Sequence, residues 1–295
     1  MITSGDVEFE VLGQATWQRP ILKTVRVAPN VVAMTAGDAG FQADAIQELR
    51  KHNPSNESRP VRDIAMLYLD FVNQTKQRLA VTRVLASLGL NNDTFISRQR
   101  EMNDDFVQRV TSEIWKIEIG ADTIFTGVDP GGSPHIYTII GDDFRCDDSI
   151  GFSAIGYGAR HAESQFMLGK HSRNALPTET LLLTYIAKKR SEVAPGVGRE
   201  TDMFWLSRNE GFKWFTQDHQ IKPLQAIYDQ LEKEQEKAFE RAGSTWRDAL
   251  AEMTRNAQIK YEEQKQALAS SGAKPEEKPK PAAPTEQASS EEEGN

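Results

Sequence analysis

The chain has 295 residues, of which 38% are hydrophobic and 26% charged, and its formal net charge is −8 at pH 7. This length suits one large domain or two small ones, and the acidic balance argues against a nucleic-acid or anionic-membrane surface. The single cysteine, Cys146, excludes an intrachain disulfide framework and favours a reducing compartment. Its acidic neighbours disfavour a reactive thiolate.

No apolar run approaches membrane-spanning length, and the N-terminus lacks the basic and then apolar pattern of a signal peptide. A cytoplasmic location is therefore expected by default. No spacing indicates a cofactor or metal site, and neither a nucleic acid nor a membrane is expected as a partner.

The first half of the chain alternates between strand pairs and helix pairs. Alternating residues predict a strand at Val7–Val11, and a hairpin is predicted from Ile21–Val27 and Val31–Thr35. Apolar residues at helical spacing predict helices over Phe41–Lys51 and Val61–Leu88.

The break at Gly89–Asp93 separates these helices from a further helix predicted over Phe95–Trp115. Asp122–Val128 and Ile136–Ile140 flank an Asp-Pro-Gly-Gly-Ser-Pro turn, which predicts a second hairpin. The short apolar run Phe152–Ile155 predicts another strand.

The second half predicts helices at Ala159–Leu168 and from Pro177 to about Val193. A last hairpin is predicted from Met203–Leu206 and Phe212–Phe215. Hairpins separated by helix pairs favour an α+β fold with antiparallel sheets, here a four-layer αββα sandwich with helices outside two stacked sheets.

Three regions are predicted along the chain. Residues 1–222 form the body, and residues 223–270 form a helical extension of one or two long amphipathic helices, interrupted or kinked at Gly243 and Ser244. Residues 271–295 carry three lysines and six glutamates without a large apolar residue, so we expect a disordered acidic tail.

Two stretches share one construction, a short apolar strand that ends in small residues and glycine and leads at once into a helix. They are Lys23–Gly40 and Ile150–Leu168. Together with other motifs in the same order, they resemble a proteasome β-type subunit of the N-terminal-nucleophile (Ntn) hydrolase superfamily, and look closest to bacterial proteasome-like relatives. The matching pieces are Met1–Asp6, Lys23, Thr35–Ala39, Gly127–Pro130 and Ala154–Ser164.

The resemblance implies that an N-terminal hairpin is missing. In that family the first strand begins with a processed threonine, serine or cysteine, whose side chain attacks the scissile carbonyl. Here Met1–Gly5 matches a segment that lies beyond this hairpin. Thr3 is not a credible substitute, because the match puts it in a loop and only two residues precede it.

Two site residues are carried over by the resemblance. Lys23 matches the lysine that lies beside the nucleophile and favours its deprotonated form, and Gly37 matches a residue that contacts the substrate backbone. From the residues alone, Lys23 is equally an exposed strand lysine and Gly37 only a strand–helix turn.

The chain also departs from the family pattern. Tyr157 stands where active members carry a serine between two glycines. Ser191 and Ala194 stand where an aspartate and then a serine are expected, although a one-residue slip of the alignment would make Glu192 the acid. These departures weaken the threonine-protease mechanism.

The remaining candidate residues are histidines, acidic pairs and tryptophans that form no recognisable motif. The five histidines are expected at the surface, and the acidic pairs Asp142-Asp143 and Asp147-Asp148 are expected in solvated turns, although they could bind a cation. Trp205 and Trp214 are expected to fill a core.

The resemblance implies a proteasome-like subunit related to threonine-type peptidases, which cleave amide bonds, with the nucleophile absent from this chain. The alternatives are a non-catalytic structural or assembly subunit of the same fold and a small-molecule amide hydrolase of the superfamily. The implied partners are further copies of the chain, in a ring or stacked rings, and a peptide substrate.

Overall fold

The computed structural model describes residues 2–5, 8–11, 15–18, 23–54 and 56–270, with side chains from residue 23 onward except that of Gln217. The tail predicted over 271–295 lies outside the described residues, as does Val7 at the start of the first predicted strand.

Three short strands begin the chain: β1 (Ile2–Gly5), β2 (Glu8–Val11) and β3 (Ala15–Gln18). β2 and β3 form an antiparallel pair of their own. The loop expected around Thr3 was wrong, because Thr3 lies in β1 and is paired with Phe204. The hairpin expected upstream of Met1 stays a prediction.

The main sheet has five antiparallel strands in sequence order. They are β4 (Thr24–Ala28), β5 (Val31–Gly37), β6 (Ala121–Val128), β7 (Pro134–Ile140) and β8 (Asp143–Cys146). The two hairpins predicted in this region are confirmed, β4–β5 and β6–β7. Short turns at Pro-Asn and Pro-Gly-Gly-Ser account for both.

Two predicted helices are confirmed as α1 (Ala39–His52) and α2 (Val61–Leu79). The Asp38 carboxylate accepts the Phe41 N–H at the start of α1, and Asp129 accepts the Val61 N–H at 2.8 Å. Both helices share one buried apolar cluster with strands β4 to β7, including Ile64, Tyr68, Phe125 and Ile139. This cluster is the larger core of the protein.

The helical run that follows α2 ends at Gly89, whose φ is +71°. The single helix predicted at Phe95–Trp115 is wrong, since the chain forms α3 (Asn92–Ser97) and α4 (Asp104–Trp115). The Asn103 side chain accepts N–H groups at the start of α4, so a new helix begins there.

The remaining body consists of α5 (Ala159–Leu168), α6 (Pro177–Ser191), β9 (Asp202–Ser207) and β10 (Gly211–Trp214). The predicted last hairpin is confirmed, and β9 lies between β1 and β10 in a three-stranded sheet. Val32 of the main sheet clusters with Phe204 and Leu206 of β9. The fold is therefore mixed α+β with antiparallel sheets.

The strand predicted at Phe152–Ile155 was wrong. These residues belong to no strand, and their backbone groups have no hydrogen bond to the described part of the chain. An apolar run can form a strand only where a neighbouring strand supplies hydrogen-bond partners.

The last described element is one helix, α7 (Lys222–Ser270). The interruption predicted at Gly243-Ser244 was wrong, because a glycine costs only about 1 kcal/mol in a helix interior. The chain divides into two compact units between residues 229 and 230. Leu224 and Tyr228 are buried with Tyr185 in the first unit. Within the described ranges, no helix has the length and apolar composition needed to cross a membrane.

Candidate functional site

The first unit contains a cavity of about 1330 Å³. Its wall is formed by the ends of β5 and β6, the extended segment 151–158, and residues of α5 and α6. Lys23, Gly37, Tyr157 and Ser191, four of the residues that the sequence singled out, all lie in this wall.

Lys23 and Gly37 stand at adjoining parts of the wall. The Lys23 carbonyl accepts the Thr35 N–H at 2.8 Å and the Thr35 hydroxyl at 3.2 Å, which fixes the entry into β4 against β5. Gly37 is the last residue of β5. The two predicted site residues are thus brought to one cavity, while their roles remain predictions.

Gly37 has a structural reason to be glycine. Its φ is +88°, and a Cβ atom there would lie 1.9 Å from the Gly120 carbonyl oxygen. The Asp38 N–H donates to the same oxygen at 2.7 Å. Position 37 in the β5–α1 turn therefore accepts no side chain, whether or not this residue contacts a substrate.

Two further glycines press the extended segment against its neighbours. A Cβ at Gly156, whose φ is +79°, would lie 3.2 Å from the Ala36 Cβ, and one at Gly158 would lie 2.7 Å from the Ser191 Cβ. The segment is thereby held between the end of β5 and the end of α6. Residues 152–155 line the cavity, and their backbone groups remain without partners in the described chain.

The departures from the family pattern have clear positions. Tyr157 is 79% exposed at the cavity wall. The Ser191 hydroxyl donates to the Lys188 carbonyl at 2.6 Å. Glu192, the alternative acid, accepts from Lys188 at 2.9 Å and Lys189 at 2.7 Å, and it is not part of the wall.

Of the six Ser and Thr hydroxyls of the described wall, five are engaged as donors, and that of Thr180 donates to no described group. Four donate to backbone carbonyls, those of Thr35, Thr126, Thr184 and Ser191. The fifth, that of Ser153, lies 2.7 Å from the Thr138 hydroxyl, which itself donates to Asp147. None of the five donates to an imidazole, amine or carboxylate, as an activated nucleophile requires.

Asp122 is a wall residue that the sequence did not single out. Burial raises the pKa of its carboxyl above the ordinary value of 3.8, and hydrogen bonds from the Gly141 and Gly156 backbone N–H groups offset this in part. It thereby connects the β7–β8 turn to the segment beside the cavity. The sequence feature that could have identified Asp122 is the presence of an acidic residue in an otherwise apolar strand.

We expect Asp122→Asn to alter the pH dependence of stability. A carboxyl whose pKa is raised in the folded state stabilises the protein most at pH values below its unfolded-state pKa near 3.8. This stabilisation is lost as the pH rises through the folded-state pKa. Urea unfolding between about pH 3.5 and pH 6 should show the stability difference, wild type minus variant, falling with pH. A difference that is flat or rises would contradict the expectation.

The sequence also missed two nitrogens in the wall. Among the described residues, neither His171 Nδ1 nor Trp205 Nε1 has a hydrogen-bond partner, although both nitrogens are buried. His171 packs edge-on against Phe152 and Phe166, whose rings stack at 4.8 Å. The surface position expected for His171 was therefore wrong, and Trp205 faces the cavity.

The solvated turn expected at Asp147-Asp148 was wrong as well. Asp147 is buried against Thr138, while Asp148 accepts the Ile136 N–H at 2.7 Å and lies 2.6 Å from His135 Nδ1. These contacts fix the end of β8. No group of three potential metal-binding residues occurs among the described residues.

No protein-family profile and no curated protein matches the sequence. Among solved structures, a mutant of Anbu from Hyphomicrobium sp. strain MC1 matches with a TM-score of 0.54 at 13% identity. The match covers 81% of this chain and 91% of that chain. The chain has a proteasome-like fold. At this identity the likeness concerns the fold alone.

Proposed function

We propose that this chain is a proteasome-like subunit whose cavity binds an extended peptide. The observation that carries the proposal is the backbone of residues 152–155, which has no partner among the described residues and lies in the wall of a 1330 Å³ cavity. Unpaired N–H and C=O groups on extended chain are the partners that an added strand uses, and side-chain pockets then set specificity.

The size and chemistry of the wall support a peptide. Small-molecule pockets usually enclose about 300–1,000 Å³, which favours a peptide over the small-substrate alternative. Because none of the six wall hydroxyls donates to a general base among the described residues, the described side chains support binding and not hydrolysis.

A second candidate is amide-bond hydrolysis of the threonine-peptidase type. It is favoured by the position of β1, since Ile2 is paired with Trp205, a residue of the cavity wall. A nucleophile supplied by the N-terminal strand would then lie near Lys23, which would favour its deprotonated form.

The same proposal includes a four-layer αββα arrangement and assembly into rings. The contact of Val32 with Phe204 supports two stacked sheets, and the contacts of α6 with β1 support a helical layer beyond the second sheet. The proteasome-like neighbour supports oligomeric assembly.

Filling the cavity should weaken peptide binding. The probe is a fluorescent, end-blocked peptide of about eight residues, about 26 Å long when extended. Ala154→Phe places a ring in the wall and should weaken binding about tenfold or more by fluorescence anisotropy. Ala251→Phe, on an exposed part of α7, is the matched control. Equal affinity of both variants would contradict the proposed site.

Mass spectrometry of the same incubated peptide separates the two candidates. An intact bound peptide supports the binding subunit. Cleavage that disappears in Lys23→Met supports the hydrolase. Cleavage that Lys23→Met leaves unchanged would exclude this cavity as the site of hydrolysis.

A further inference from the structure

The second unit presents an apolar face along α7. Six large side chains on this helix are between 48% and 82% exposed, here called the apolar stripe: Phe239, Trp246, Leu250, Met253, Tyr261 and Leu268. At 100° per residue, the six positions together span an arc of about 80° on one face of the helix. Ile259, also exposed, lies on the opposite face. A stripe this regular is typical of a helix that packs against another element.

Residues on this face follow a mirror order. The midpoint lies between Ala249 and Leu250. Residues at equal distances from it match in kind, glutamine with glutamine and alanine with alanine. These pairs are Gln235 with Gln264 and Ala242 with Ala257, while the aromatic residues Phe239 and Tyr261 are one residue away from an exact match.

The same order continues through the centre, where Trp246 is matched by Met253. Two antiparallel copies with their two-fold axis at this midpoint place each residue beside its match. A parallel pair in register would instead place both Trp246 side chains in one layer, and the mirror order would have no consequence there. The face is therefore complementary to itself in the antiparallel direction.

Charge and area are compatible with pairing. Residues 230–270 contain eight acidic and seven basic residues, so two copies repel each other little. About this midpoint, Glu234 is level with Lys265 of the second copy and Glu236 is level with Glu263, so one pair has opposite charges and the other has like charges. Apolar contact therefore supplies the attraction, and the stripe offers on the order of 600 Å² per copy, about 1,200 Å² in total, which is within the range of specific interfaces.

We propose that α7 binds a second copy of this chain as an antiparallel helix pair centred between Ala249 and Leu250. The pair joins two copies through residues 230–268, separately from any ring contact made by the first unit. Phe239 of one copy lies beside Tyr261 of the other, whereas the two Phe239 residues are about 30 Å apart along the axis.

Cysteine cross-linking of the full chain tests both pairing and direction. In a Cys146→Ser background, Phe239→Cys and Tyr261→Cys chains are produced separately and co-expressed, then oxidised mildly. We expect a disulfide-linked dimer only from the co-expressed chains. Absence of that dimer would overturn the pairing, and equally efficient linkage of Phe239→Cys alone would overturn the antiparallel direction.

A charged substitution in the stripe supplies the energetic test. Adding Trp246→Glu and Met253→Glu should reduce the mixed cross-link about tenfold or more, while Ile259→Glu, on the opposite face, should leave it unchanged. Far-ultraviolet circular dichroism confirms that α7 persists in each variant. Equal losses from both faces would overturn the assignment of the stripe.

Discussion

Gly37→Ala should strongly destabilise the protein, although it adds only one methyl group. The new Cβ would lie 1.9 Å from the Gly120 oxygen and 2.8 Å from its carbonyl carbon, and both are backbone atoms that cannot rotate away. The positive φ adds strain of about 1–2 kcal/mol. We expect a total loss of about 4 kcal/mol in the free energy of unfolding, measured by urea denaturation.

Gly89→Ala is the matched control for this substitution. Its φ is +71°, but nothing lies within 4 Å of the position that a Cβ would take. It should therefore lose only about 1 kcal/mol, the cost of the backbone conformation. Similar losses at both glycines would show that the contact with Gly120 relaxes and that conformation alone determines the effect.

Glu192→Gln should cause the second large loss. Glu192 is 13% exposed and accepts from Lys188, whose side chain is 4% exposed, and from Lys189. The Lys188 ammonium also donates to the Gly198 carbonyl at 2.7 Å, but removing the negative charge of Glu192 leaves this buried cation without its carboxylate. Breaking a buried ion pair from one side costs about 3–5 kcal/mol, and we expect a loss of about 3 kcal/mol by urea denaturation.

The control for this second substitution is Glu113→Gln, which removes an exposed pair with Lys116. Exposed pairs contribute about 0–1 kcal/mol, so its effect should be small. Full stability of Glu192→Gln would mean that other groups, such as the Gly198 carbonyl, satisfy the lysines without the negative charge of Glu192.

The order of elements followed from local sequence patterns. Short turns at Pro-Asn and Pro-Gly-Gly-Ser predicted the β4–β5 and β6–β7 hairpins, which the structure confirms. Helical spacing likewise predicted α1, α2, α5 and α6. These signals are local, because each depends on the few residues within one turn or one strand.

Errors arose where a distant residue or a single cap decided the outcome. Phe152–Ile155 has strand-like composition, but no described strand lies where it could pair with it. The Asn103 side chain begins a separate α4, which apolar spacing alone does not indicate. Gly243 looked like a break, yet the flanking helix tolerates it.

The sequence by itself determined the α+β class, most helices and hairpins, and, through resemblance, Lys23 and Gly37. Only the tertiary structure brought these two residues to one cavity with Asp122, His171 and Trp205. It also decided that Gly37 is required by the Gly120 carbonyl. The physical reason is that turns and periodicity depend on neighbours in sequence, whereas burial, hydrogen-bond satisfaction and cavity walls depend on residues far apart in the chain.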